Sequence, residues 1–213
     1  MHRYRVIFAG AVITAVFAFF VLAWIPQRQL AMVVPIDQLQ PYTPNQLAGR
    51  HVYVSMGCLY CHSQQVRPAG FGSDITRGWG RRRSVSRDYI YDQPVMLGTS
   101  RTGPDLSNIG ERQASAEWHL SHLYNPQITS KGSIMPPYAF LFETRRFGPG
   151  GASSNALKLV GEFAVEPGSE VVPTPAARQL VEYLRSLKTS FDLPEAPLKK
   201  IDAGDDTNVK AAK

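Results

Sequence analysis

Val6 to Ile25 reads VIFAGAVITAVFAFFVLAWI, twenty residues without a charge and with only Thr14 polar. A helix apolar on every side has no face to offer water, so this run restricts the chain to folds that remove it from solvent. At 1.5 Å per residue it would be roughly 30 Å long, the thickness of a bilayer's hydrocarbon core. A cleavable signal sequence has a shorter apolar stretch, about 7 to 15 residues, closed by a small-x-small site. Here the run closes on LAWIPQRQ, and it is read as an uncleaved membrane anchor. His2, Arg3 and Arg5 precede it, which by the positive-inside rule leaves the N-terminus cytoplasmic and sends residues 27 to 213 across the membrane. Trp24 then falls at the outer interface, where indole is favoured.

The anchor decides how the charge is read. A net charge of +6 would suit nucleic acid, but an exported domain does not meet it. Arg77, Arg81, Arg82, Arg83 and Arg87 fall within RGWGRRRSVSR without an acid between them. This run is either a solvated loop or a patch for an anionic partner, such as a lipid headgroup or an acidic redox protein.

Beyond the anchor, PQRQLAMVVPIDQLQPYTPNQ is punctuated by proline and reads as a linker. Thr43, Pro44 and Gln46 then form a capping-box signature, predicting a helix that runs to Gly57 and delivers Cys58 at its end. Residues 63 to 112 are rich in Gly, Arg and Pro and predict a long loop-dominated excursion. SAEWHLSHLY, 115 to 124, predicts a short helix capped by Ser115 and stopped before Pro126. GPGGASS and EPGSE mark flexible connections, and a last helix starts near Pro175, with Leu180, Val181, Leu184 and Leu187 on one face. The expected organisation is a cytoplasmic N-terminus and anchor over 1–26, a linker over 27–42, one domain over 43–190 and a flexible polar tail over 191–213. The expected fold class is all-α, with long irregular loops.

Only two cysteines are present, and they stand in GCLYCHSQQVRP as Cys58-Leu59-Tyr60-Cys61-His62. C-x-x-C-H is the pattern for covalent attachment of a c-type haem. Two thiols three residues apart can each form a thioether with one haem vinyl group, and the adjacent imidazole then sits under the iron. Zinc is disfavoured because no second cysteine pair completes a tetrahedral set, and a thioredoxin-like dithiol would need a βαβ context that is absent.

An iron held by His62 needs a sixth ligand or an open site. Of the five methionines, Met1 is cytoplasmic, Met32 lies in the linker and Met56 is too near Cys58 to reach the opposite face. Met96 and Met135 remain. Met135 stands in KGSIMPPYAF, where the prolines stiffen the backbone and remove competing amide donors, and it is favoured as distal ligand. His119 and His122, three apart on one helical face, are its rivals, although structural roles suit them better with a single haem motif.

Taken together, these residues resemble the mono-haem, membrane-anchored subunit of cbb3-type cytochrome c oxidases, the C family of haem-copper oxidases. The likeness runs through YTPNQLAGRHVYVSMGCLYCHSQQVRP, YDQPVMLGTSRTGPDLSNIG, EWHLSHLYNP and SIMPPYAFL, and covers roughly residues 1 to 142. It implies covalent haem c on Cys58 and Cys61, His62 as proximal and Met135 as distal iron ligand, in a class I cytochrome c-like domain on one transmembrane helix. It also implies a bacterial inner-membrane location, a periplasmic haem domain, and packing on a catalytic haem-copper subunit. Electrons would come from another c-type cytochrome and leave for haem b, so this chain would perform no oxygen chemistry. A calcium ion at the subunit junction, near Ser100, is implied as well. Gln65 stands where an apolar residue is expected, and the arginine run is more basic than the usual loop.

Two other readings stand beside it: the mono-haem subunit of a nitric oxide reductase, and a free-standing anchored electron-carrier cytochrome c.

Overall fold

The computed structural model describes residues 2–98 and 100–198. They divide into two units, one running through Gln40 with Val85–Asp92, the other Pro41–Ser84 with the residues from Gln93 on. The first unit is built on a helix that does not stop at Pro26. Helix α1 (His2–Phe19) passes through a π-helical turn (Phe20–Trp24) into α2 (Ile25–Ala31). Proline cannot donate to the carbonyl four residues back and its ring crowds that carbonyl. The wider turn absorbs the conflict, with the Ile25 amide donating to Phe20 instead, and the helix continues. Arg3–Ala31 is the one helix among the described residues long and apolar enough to cross a membrane, and none of its apolar window is buried within the chain. The Arg28 guanidinium lies 5.3 Å over the Trp24 ring. In the same unit Arg87 donates to the Val34 carbonyl at 2.8 Å.

The second unit is organised by two helices far apart in sequence. Helix α3 (Pro44–Ser55) starts on the expected capping box: Thr43 Oγ1 accepts from the Gln46 amide, and Gln46 Oε1 accepts from the Thr43 amide at 2.8 Å. Helix α6 (Pro175–Ser186) is capped by Thr174 and buries Ala177, Leu180, Val181, Tyr183 and Leu184 on one face. The two pack against each other, and Gly49 permits the contact. A Cβ there would stand 2.9 Å from Tyr183 Cβ and closer still to the Gln179 carbonyl. Tyr53 and Tyr183 meet edge-on beside it, ring centres 5.6 Å apart. Burying a side chain such as Leu180 completely is worth about 1.5–3 kcal/mol.

Two short helices, α4 (Ile109–Arg112) and α5 (Ala116–Tyr124), pack against α6. Ser115 caps α5 as expected, accepting from the Trp118 amide, and the helix ends before Pro126. The all-α expectation is corrected by a small sheet. Strands β1 (Phe142–Arg146) and β2 (Ser169–Pro173) pair antiparallel, with Phe142 opposite Pro173 and Arg146 opposite Ser169. Each strand has only five residues. β2 is buried nearly throughout, so it lacks the alternation that would betray a strand, and no tight turn joins it to β1. Most of 63–112 is irregular, as the sequence predicts.

The arginine run contributes to structure. Arg82 is buried, donates to the Phe191 carbonyl at 3.0 Å and lies 4.8 Å over the Phe191 ring, while Arg83 donates to the Glu195 carbonyl at 2.7 Å. Leu193 and Ala196 are buried. Residues 191–198, placed in the polar tail by sequence, are thus held against the domain; the rest of that expected tail, 199–213, lies outside the described residues.

Candidate haem site

Helix α3 ends at Ser55, and Gly57 takes the left-handed conformation (φ 72°) that turns the chain sharply into a single 3-10 turn, Cys58–Tyr60. Cys58 and Cys61 therefore project from a tight corner immediately after a packed helix. Both are free thiols; Cys58 is half-buried and Cys61 exposed. Burial pushes the Cys58 thiol up to about 11.

His62 follows directly. Its Nδ1 lies 2.7 Å from the Pro104 carbonyl oxygen. A carbonyl only accepts, so Nδ1 carries the proton and Nε2 keeps its lone pair. Burial lowers the pKa of the ring below the ordinary histidine value, which favours that neutral state. The ring rests on Gly103: a Cβ there would come within 2.8 Å of Nδ1 and 2.9 Å of Nε2. Segments 61–65 and 103–106 are zipped together, the Gly103 amide donating to Cys61 O at 2.9 Å and the Leu106 amide to Ser63 O at 2.8 Å.

Met135 lies in a loop braced from below by α5. The Tyr138 amide donates to Leu123 O at 2.8 Å, and Gln127 spans the loop, accepting from the Gly132 amide at 2.7 Å and donating to Ser133 O at 2.5 Å. Met135 and Cys58 pack on the same apolar core. Tyr138, three residues past Met135, donates to the Met56 carbonyl at 3.5 Å, so the methionine loop and the cysteine corner share a hydrogen bond.

The rivals are otherwise engaged. Met96 belongs to the buried core. His119 is buried with Nε2 on Gln113 O at 2.9 Å. His122 Nδ1 lies 2.6 Å from Thr129 Oγ1 and its ring stacks on Trp118 at 4.7 Å. Burial, with His119 next to it, takes the His122 pKa down to about 4. Ser100 meets Thr102, their hydroxyl oxygens 3.1 Å apart. Among the described residues no group of three His, Cys, Asp or Glu side chains gathers to hold a metal ion.

The family model described as "Cytochrome C oxidase, mono-heme subunit/FixO" matches residues 1–166. The chain belongs to this family. It is accordingly a haem-carrying electron-transport subunit of a multi-subunit terminal oxidase of the cbb3 type, and its N-terminal apolar helix fits a membrane anchor. No curated protein matches the chain.

The residues present fit such a group. A histidine with a bare Nε2 follows the second thiol, and a glycine leaves the imidazole room. The buried Arg112 Nε also finds no acceptor among the described residues, so a donor remains for an anionic group. Sequence reasoning missed the supporting residues Gly103, Pro104, Arg112 and Gln127. The RTGPDL block carried the signal for the first two, because a Gly-Pro pair fixes a backbone path and leaves a carbonyl to be used.

Proposed function

We propose that this chain relays electrons into a cbb3-type oxidase through one haem c held covalently by Cys58 and Cys61, with His62 as proximal and Met135 as distal iron ligand. The observation that carries the reading is the His62–Pro104 hydrogen bond. It fixes the tautomer and orientation of a neutral imidazole directly after the second thiol, which is what an iron-binding histidine needs.

When bound, the haem supplies one-electron ferric/ferrous chemistry. The chain's residues do the rest. The Cys58–Tyr60 turn sets the two sulfurs three residues apart, Gly103 and Pro104 orient the imidazole, and the Gln127-braced loop presents the Met135 thioether. Thioether ligation raises the potential relative to two histidines, which suits delivery to a strong oxidant. With His62 and Met135 both holding the iron, this chain would leave oxygen reduction to the catalytic haem-copper subunit. The α3–α6 crossing supports a class I cytochrome c-like domain. In this reading electrons arrive from another c-type cytochrome and leave for haem b, and the anchor keeps the domain on the periplasmic face. Among the three readings, the family match favours the oxidase over a nitric oxide reductase subunit or a free carrier.

The test is a haem-stained denaturing gel of the chain, joined to a carbon monoxide difference spectrum and copper analysis of the complex purified through it. Haem staining should vanish in the Cys58→Ser, Cys61→Ser double variant. A stained band surviving there refutes covalent attachment. Haem b, a carbon monoxide-binding high-spin haem and copper should co-purify; low-spin haem c alone would favour a free carrier, and a high-spin haem without copper the nitric oxide reductase.

A further inference from the structure

Asp105 is fully buried, and it is tied into both segments that meet at His62. Its Oδ2 accepts from Ser63 Oγ at 2.6 Å and from the Gln65 amide at 2.7 Å, on the chain just past the histidine. Its Oδ1 accepts from the Ser107 amide at 2.9 Å, closing its own turn. Arg101 Nη2 stands 3.8 Å from Oδ2, and the same guanidinium is paired with Asp74. The Asp105 carbonyl accepts from Arg112. A buried carboxylate normally carries a large desolvation penalty, offset only by good hydrogen bonds and a counter-charge. An apolar residue could fill this volume without that penalty. What an apolar residue could not do is tie Ser63 and Gln65 to the position directly after Pro104, whose carbonyl accepts from His62 Nδ1.

We propose that Asp105 is a positioning residue that clamps the Pro104 carbonyl onto the His62 imidazole and thereby sets the reduction potential of the iron that His62 holds. The inference rests on the reading of His62 as proximal ligand. Two physical effects act with the same sign. A firm hydrogen bond from Nδ1–H makes the imidazole a stronger donor to iron and favours the ferric state. A fixed negative charge in a low-dielectric surround also favours the ferric state, which carries one more positive charge than the ferrous. Removing the carboxylate therefore raises the potential on both counts, whereas removing its Arg101 counter-charge lowers it.

The experiment is a spectroelectrochemical titration of haem c in the complex purified through this chain, comparing wild type, Asp105→Asn and Arg101→Gln. Haem-stained gels and the near-infrared sulfur-to-iron charge-transfer band monitor attachment and Met135 ligation. The expected result is covalent haem and the sulfur band retained, with the midpoint potential moved up in Asp105→Asn and down in Arg101→Gln. A residue that merely stabilised the fold would change haem content or lose the sulfur band without that opposed pair of shifts. Unmoved potentials in haem-loaded variants overturn the inference. If Asp105→Asn does not assemble, Arg101→Gln decides alone, and an unchanged or raised potential there overturns it. Absence of covalent haem from the wild-type chain would instead overturn the reading on which it stands.

Discussion

Gly103 lies flat against the His62 imidazole, so close that a methyl group at its α-carbon would enter the van der Waals envelope of the ring. The same short segment supplies the carbonyl that holds Nδ1 at 2.7 Å. Support for the ring and the acceptor for its proton thus come from two consecutive residues, and neither uses a side chain.

The first prediction follows directly. Gly103→Ala leaves the ring no room in its present place and should push it off the Pro104 carbonyl. Overpacking of this kind costs about 1–3 kcal/mol. The variant should show less haem-stained chain and a weakened low-spin spectrum in membranes. A wild-type spectrum and haem content would mean that the imidazole is not confined as described.

Gln127 should matter for Met135 through the loop that it braces. Gln127→Ala removes the brace across Gly132 and Ser133, two hydrogen bonds in a solvent-facing loop. At about 0.5–1.5 kcal/mol net each, and 1.4 kcal/mol per tenfold in an equilibrium, the ratio of ligated to open iron should fall by a few-fold to about a hundredfold. The measurement is the fraction of haem c that binds carbon monoxide, which should rise partly in Gln127→Ala and completely in Met135→Ala. Covalent haem should stay constant in both.

The α3–α6 contact sets the stability of the second unit. Leu180, fully buried on α6, should cost about 2–5 kcal/mol on substitution to alanine. The exposed Glu182 on the same helix should cost less than about 0.5 kcal/mol. Thermal unfolding of the detergent-solubilised protein compares the two, and equal effects would refute the packing described.

Acid should weaken the small sheet through Glu170. Its carboxylate accepts from the Ser153 hydroxyl and amide, each at 2.6 Å, and from Arg145 Nε at 2.8 Å, which holds its pKa at about 2 against an ordinary 4.5. A depressed carboxylate pKa stabilises the fold above the unfolded value, and that contribution is lost as pH falls from about 4.5 towards 2. In unfolding curves collected across that window, wild type should lose its advantage over Glu170→Gln as pH falls. A gap that widened with acid would contradict this arrangement.

Much of the frame was legible because its signals are local. The Thr43-Pro44-Gln46 cap, the Ser115 cap and the apolar face of α6 each reside in a few adjacent residues, and the structure has each of them in place. The cysteine corner was legible for the same reason. What sequence left open depends on partners distant along the chain. The Arg82 and Arg83 contacts reach residues 191 and 195, the β1–β2 pairing joins strands of five residues, and the His62 acceptor lies 42 positions downstream. Charge runs and proline-glycine loops look alike until such partners are known. The helix continuing through Pro26 was missed because proline reads as a stop unless the turn before it widens.

The pairing of α3 with α6 also bears on the order in which the protein is made. The helix that carries the cysteine corner is synthesised early, but the helix that packs along it ends at Ser186, some 130 residues later in the sequence. During synthesis the cysteine corner therefore leaves the ribosome well before the helix that packs along α3 exists. Until α6 arrives, the face of α3 that carries Gly49 and Tyr53 stays uncovered, so the second unit can close only late in synthesis.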